Sequence, residues 1–173
     1  MSRLSAAPAI SEKVITLAAI GHPYMGDDAI AVELVEAISG QLSDDIELCV
    51  WANKDVLSIA AELLEMRTAI VLVDCANMGI AAGEYRWFEL SECLLAQQQG
   101  LISTHAYGFA DALALAQTLG FKQPLYIFAI QAEQYADELL ARPGLSQTLK
   151  DKKVVYCHAL LARLDTLNTQ LKE

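Results

Sequence analysis

Short apolar runs alternate with amphipathic helical segments along the first half of the chain. The runs at 13–21, 46–51 and 68–73 have the length and composition of strands buried on both faces. Between them, apolar residues recur at helical spacing, and the two stripes are Ile30, Leu34, Val35 and Ile38, then Val56, Ile59, Ala60 and Leu63. This βαβαβ order predicts a mostly parallel sheet with helices on both sides.

The second half of the chain adds two predicted strands and two predicted helices. The β-rich sequence YRWFEL at 85–90 follows the third strand with no helix between them, so an antiparallel strand is expected. PLYIFAI at 124–130 predicts a fifth, buried strand. One helix is predicted from Ser103 to Gly120, with the apolar stripe Phe109, Leu113, Ala116 and Leu119. A long amphipathic helix from Lys150 to about Gln170 carries Val154, Cys157, Leu160, Leu161, Leu164 and Leu167.

These elements predict an α/β fold with three layers, α/β/α, in which helices cover both faces of a twisted, mostly parallel, five-stranded sheet. The third strand is expected to end at Asp74. A chain of 173 residues has the usual size of one domain, and no linker or repeat interrupts it. We therefore expect a single domain at 13–173 that follows a disordered lead-in at 1–12.

Charge and composition exclude several classes of protein. A formal net charge of −10 disfavours nucleic-acid partners, because phosphate binding depends on clustered Lys and Arg. Although 54% of the residues are hydrophobic, no apolar stretch approaches the roughly 20 residues that cross a membrane, and no secretory signal is recognisable. The four cysteines include no CxxC pair. The pattern favours a soluble, cytoplasmic protein with free thiols, and we expect a monomer.

Candidate chemistry lies where strands end. Ligands of open parallel sheets bind outside the carboxyl ends of the strands, near the point where strand order reverses. Three segments are expected there: HPYMGDD at 22–28, DCANMG at 74–79 and STHAYG at 103–108. The first segment is not a phosphate loop, because two acids follow its glycine and would repel a phosphate. No GxSxG elbow and no HExxH helix occurs in the sequence.

The acidic residues of these segments have both ordinary and functional interpretations. Asp27 and Asp28 suit the positive end of a helix, and for each residue alone helix capping is the more economical role. Asp74 closes an apolar strand, where an ionised side chain is costly unless it meets a cation or several donors. A turn-forming role is the alternative for Asp74.

His105 is the candidate imidazole. It follows Ser103 and Thr104, either of which can cap the predicted helix, and the dipole of the first turn favours the neutral ring that binds metals. A histidine bonded to a carbonyl is the alternative. Together, Asp28, Asp74 and His105 form a plausible half of the ligand shell of a divalent ion, with open positions for water or for groups of a partner.

Four segments resemble hydrogenase maturation proteases, the endopeptidases that trim the large subunit of nickel-iron hydrogenases. GHPYMGDDAIAV is similar to that family's Gly-Asn-x-x-x-x-Asp-Asp/Glu opening, and VLVDCANMGIAAGEYRWF to its Val-Asp-Ala stretch with following glycines. STHAYGFADALALAQTLG is similar to its Ser-x-His segment and helix, and IFAIQAEQYADEL to its Ile-Gln-Pro/Ala-Glu strand end. The resemblance covers nearly the whole chain and implies a twisted sheet between helices.

The resemblance places the family's catalytic, metal-contacting positions on Asp28, Asp74 and His105. It implies an endopeptidase that recognises nickel supplied by its substrate, a hydrogenase large-subunit precursor, and removes a C-terminal extension. His22 stands where the family usually has Asn, and the sequence leaves open an extra ligand or a solvent-exposed loop histidine. Two other functions remain open: a metal-dependent maturation chaperone that does not cleave, and a nucleotide-binding module.

Overall fold

A computed structural model of the protein describes residues 13–90, 103–104, 109–133 and 144–173. The strands are β1 (Ile15–Ala19), β2 (Ile46–Val50), β3 (Ala69–Asn77), β4 (Tyr85–Glu89), β5 (Ser103–Thr104) and β6 (Leu125–Gln131). The helices are α1 (Ile30–Ile38), α2 (Val56–Glu65), α3 (Phe109–Thr118) and α4 (Gln147–Gln170), with short 3-10 turns at Gly26–Ala29 and Ser39–Gln41. The predicted lead-in at 1–12 lies outside the described residues.

The predicted sheet is confirmed, with five strands in the order β2-β1-β3-β6-β4. Strands β1, β2, β3 and β6 run parallel, and β4 pairs antiparallel with β6 at one edge, as the missing helix before β4 indicated. The two-residue β5 adds an antiparallel partner at the end of β3. Strand order reverses between β1 and β3, because the chain passes outward from β1 to β2 and then returns to β3 on the other side.

Helices cover both faces of the sheet, as predicted. One core lies between the sheet and α1 with α4, and it includes Val71, Val73 and Cys75 of β3. The other lies between the sheet and α2 with α3, and it includes residues on the opposite face of the same strand. Side chains of a strand alternate between faces, so Asp74 belongs to the face covered by α2 and α3. No helix within the described ranges is long and apolar enough to cross a membrane.

The predicted end of the third strand was wrong. Strand β3 continues through Asp74 to Asn77, because β6 pairs with it as far as Ala76 and β5 pairs with Ala76 and Asn77. Partners on both sides satisfy the backbone beyond the apolar run, which the local sequence could not indicate. Asp74 therefore lies inside a strand rather than in a turn.

The boundaries of two predicted helices also differ from the structure. Ser103 and Thr104 do not start a helix but form β5, and the described helix α3 begins at Phe109. Leu119 follows the end of α3 and is 61% exposed, so it is not part of the apolar stripe.

The last helix, α4, begins earlier than predicted. Its first residue is Gln147 rather than Lys150, and the side chain of Ser146 caps this end of the helix. Val154 is exposed, and the buried stripe instead consists of Leu149, Tyr156, Leu160, Leu164 and Leu167.

Candidate active site at the strand switch point

The loop after β1 brings Asp28 back against Gly21. Gly21 has a φ of +149°, and a Cβ atom built on it would lie 2.2 Å from the main-chain oxygen of Asp28. Only glycine permits this approach, because any side chain would meet backbone that cannot move aside. The N–H of His22 then donates a hydrogen bond of 2.6 Å to Oδ2 of Asp28. These contacts hold the half-buried Asp28 carboxylate at the carboxyl end of β1.

Asp27 has a different role from its neighbour, and the predicted capping role of both residues was wrong. The N-cap positions of the 3-10 turn Gly26–Ala29 and of helix α1 are instead occupied by Met25 and Ala29, neither of which makes a side-chain cap hydrogen bond. Asp27 is fully buried, and its carboxylate accepts the backbone N–H groups of Glu133 over 2.9 Å and of Ser146 over 2.6 Å. Asp27 is thus a tertiary anchor between the first loop, the end of β6 and the start of α4.

Asp74 is a buried carboxylate at the centre of the sheet. It is 1% exposed, and its backbone lies beside Ala129 of β6. Its Oδ2 atom has no hydrogen-bond partner in the part of the chain that the structure describes. Burial raises the pKa of Asp74 well above its usual value, the charge of Asp28 raises it further, and the backbone N–H of Cys75 opposes the shift. The two predicted carboxylates therefore lie within electrostatic reach of each other.

Cys75 is not suited to be a nucleophile. It is 2% exposed and packs on the α1 and α4 face of the sheet. Burial raises the pKa of its thiol, and the negative charges of Asp74 and Asp28 raise it further. The reactive species of a cysteine is the thiolate, which this environment disfavours. We conclude that Cys75 is a core residue beside the site.

The third predicted ligand, His105, lies outside the described residues. Its neighbour in the sequence, Thr104, pairs with Ala76, two residues after Asp74. Within the described ranges, no group of three or more His, Cys, Asp or Glu residues could hold a metal ion. The metal-binding triad therefore stays a prediction, with two of its three members placed at the switch point between β1 and β3.

Gln131 is a buried residue of this edge to which sequence reasoning gave no role. Its Oε1 accepts the N–H groups of Met78 over 2.7 Å and of Ile80 over 3.4 Å, and its Nε2 donates to the Oδ1 of Asn77 over 3.4 Å. Gln131 thereby fixes the loop that follows β3. The signal was available, because Gln131 is a polar residue that directly follows an apolar run, as Asp74 does.

A sequence comparison identifies the family. The family model HycI, described as hydrogenase maturation protease, matches residues 55–162. Because this match spans more than half of the chain, the protein belongs to the hydrogenase maturation protease family. A comparison with curated protein sequences found no match.

Solved structures share the fold. The [NiFe] hydrogenase maturation protease HybD from Thermococcus kodakarensis has a TM-score of 0.68 at 15% identity, over 87% of this chain and 99% of that chain. An endopeptidase from Escherichia coli has a TM-score of 0.72 at 20% identity, over 87% and 91%. The hydrogenase maturating endopeptidase HybD from E. coli has a TM-score of 0.69 at 21% identity, over 88% and 93%. At these identities the likeness concerns the fold.

Proposed function

We propose that this protein is an endopeptidase that recognises nickel in the precursor of a nickel-iron hydrogenase large subunit and removes the C-terminal extension of that precursor. Membership of the hydrogenase maturation protease family supports the proteolytic activity. Two of the proteins with similar structures are an endopeptidase and a hydrogenase maturating endopeptidase, both from E. coli. The protein would act as a cytoplasmic monomer on the folded precursor.

The observation that carries this proposal is the buried Oδ2 atom of Asp74, which has no hydrogen-bond partner among the described residues. A buried, ionised oxygen without a donor is costly, and a protein retains such a group when a ligand or a reaction uses it. The charge of Asp28 adds to that cost. A divalent cation would offset both effects, because it would attract the two carboxylates that otherwise repel each other. The donor set therefore suits a metal ion.

His105 completes the proposed site. Consecutive Cα atoms are about 3.8 Å apart, so His105 follows Thr104 closely, and Thr104 pairs beside the strand that carries Asp74. Two carboxylates and one imidazole leave open positions on a divalent ion. In our proposal, groups of the precursor occupy these positions, so the three side chains respond only to a precursor that already holds nickel.

The chemistry follows from that arrangement. A metal ion held next to the cleavage site supplies positive charge that polarises a carbonyl or makes a water molecule more acidic. Hydrolysis adds the water oxygen to the carbonyl carbon, breaks the carbon–nitrogen bond and transfers a proton to the leaving nitrogen. Asp28, Asp74 and His105 would orient the ion against the scissile bond, and either carboxylate can accept the proton of the attacking water.

The test compares precursor processing with and without nickel. Incubation of the protein with nickel-loaded precursor should reduce the precursor mass by a C-terminal peptide, and the nickel-free precursor should remain intact. Asp28→Ala and His105→Ala should abolish processing while the far-ultraviolet circular dichroism stays unchanged. The matched control Asp44→Asn, at an exposed position, should process normally.

Two outcomes would contradict the proposal. Normal processing by the Asp28, Asp74 and His105 variants would show that the site assignment is wrong. Stable binding of nickel-loaded precursor without any mass loss would favour the chaperone function instead.

A further inference from the structure

The loop that carries His22 is a hydrogen-bonded turn. The N–H of Met25 donates to the carbonyl oxygen of His22 over 3.1 Å, which closes a four-residue turn. Pro23 occupies the second position of this turn, where its fixed φ suits the common turn types. The N–H of His22 is held by Oδ2 of Asp28. The His22 backbone is therefore tied both to the turn and to a proposed nickel-contacting residue.

The ring of His22 is also hydrogen-bonded to the turn. Its Nδ1 atom accepts a hydrogen bond of 3.3 Å from the backbone N–H of Tyr24. A neutral imidazole carries one proton, so an Nδ1 atom that accepts leaves the proton on Nε2. A metal ion needs a nitrogen lone pair, and Nδ1 already uses its lone pair in the turn. The tautomer therefore makes Nε2 a hydrogen-bond donor, and no described residue accepts from it.

The surroundings of His22 indicate which acceptor it would meet. The carboxylate of Asp28, which accepts the N–H of His22, makes the surroundings of this ring unfavourable for an anionic ligand. A neutral acceptor suits this position, and the carbonyl oxygens of the polypeptide substrate are such acceptors. The ring of Tyr24 packs edge-on against His22 with centroids 6.0 Å apart and is 75% exposed, so it presents apolar surface beside the same donor.

We infer that His22 binds the polypeptide substrate, with Nε2–H donating to a backbone carbonyl oxygen and the ring of Tyr24 packing against the bound chain, and that His22 does not ligate nickel. This inference rests on the proposed function and extends it from the metal to the polypeptide that surrounds it. It replaces both roles that the sequence left open, an extra metal ligand and a solvent-exposed loop histidine, with a contact to the polypeptide.

The test separates polypeptide binding from nickel binding. His22→Ala should raise KM for nickel-loaded precursor about fivefold, the usual effect of one neutral hydrogen bond, and should leave kcat nearly unchanged. His22→Asn should restore part of the loss, because its amide supplies a donor. Tyr24→Ala should raise KM in the same direction. The matched control His158→Ala, on the exposed face of α4, should leave KM unchanged.

Nickel titration of the free protein provides the second readout. The His22→Ala protein should keep the wild-type nickel affinity, whereas Asp28→Ala should lose it. A fall in nickel affinity in His22→Ala as large as in Asp28→Ala would make His22 a ligand and overturn the inference. An unchanged KM in both His22→Ala and Tyr24→Ala would overturn it as well.

Precursor binding distinguishes this inference from the proposed function. If the wild-type protein does not cleave the precursor, the proposed function fails. The dissociation constant of the complex between the Asp74→Asn protein and the precursor can still be measured. A weaker complex after the additional His22→Ala change would support the contact with polypeptide. An unchanged dissociation constant would overturn it.

Discussion

The carboxylate of Asp27 accepts the backbone N–H of Ser146, which lies 119 residues later in the chain, over 2.6 Å. Its other oxygen accepts the N–H of Glu133 at the end of β6. Ser146 in turn caps α4 through its own hydroxyl, which accepts from the N–H of Leu149. One buried side chain thus ties the loop that carries Asp28 to a strand end and to the start of the longest helix.

We expect Asp27→Ala to destabilise the fold strongly. The change leaves two N–H groups without their acceptor, and one unsatisfied buried group costs about 1–3 kcal/mol. For two such groups the free energy of unfolding in urea should fall by about 2–6 kcal/mol. Asp27→Asn should fall between the wild type and Asp27→Ala, because the amide keeps one acceptor oxygen but points a donor at the other N–H. Equal stability of Asp27→Ala and wild type would contradict the anchoring role.

Gly21→Ala should damage the site by displacing Asp28. The new Cβ would lie 2.2 Å from the main-chain oxygen of Asp28, and the φ of +149° is unfavourable for alanine. We expect a loss of about 2–4 kcal/mol in the free energy of unfolding, as for strained backbone with a clash, together with loss of processing. Gly40→Ala is the matched control, because nothing lies within 4 Å of its Cβ position. Its stability should stay within about 0.5 kcal/mol of the wild type.

Asp74→Asn should stabilise the metal-free protein near neutral pH while it abolishes processing. A carboxyl group whose pKa is higher in the folded than in the unfolded state makes the free energy of unfolding fall as pH rises from the usual carboxyl range through the folded pKa. Asparagine removes that dependence, because it carries no charge. Thermal unfolding followed by circular dichroism should show a higher Tm for the variant at pH 7.

The advantage of Asp74→Asn should shrink as pH falls below about 4, the usual pKa of Asp, because the wild-type carboxyl then becomes protonated in both states. Asp44→Asn, at an exposed position, serves as the control and should show no comparable gain at pH 7. A lower Tm for Asp74→Asn than for wild type at pH 7 would mean that the carboxylate is satisfied in the folded protein.

Gln131→Ala should loosen the loop after β3. Removal of the amide leaves the N–H groups of Met78 and Ile80 without their acceptor and should cost about 1–3 kcal/mol of stability. Hydrogen exchange at these two amides should accelerate more than exchange in the centre of β3. Gln170→Ala, at the exposed end of α4, should change neither quantity. Unchanged protection of Met78 in Gln131→Ala would contradict the proposed support of the loop.

The sequence by itself determined the order of the elements and the architecture of the sheet. Strands such as β1 and β6 are continuous apolar runs, and α1 and α2 show apolar residues at helical spacing, so local patterns suffice to identify them. The resemblance of the acidic loop and of the segment around Asp74 also predicted the family that the comparison confirms.

Only the tertiary structure decided what the polar residues at the sheet edge do. Asp27 and Asp28 are adjacent in sequence, yet one anchors a helix start 119 residues away and the other holds the turn at His22. Asp74 lies within β3 because β5 and β6, distant in sequence, supply backbone partners beyond it. Burial of apolar side chains produces a periodic pattern in the local sequence, so the fold could be predicted. Hydrogen bonds between distant segments produce no such pattern, so the roles of these polar residues could not.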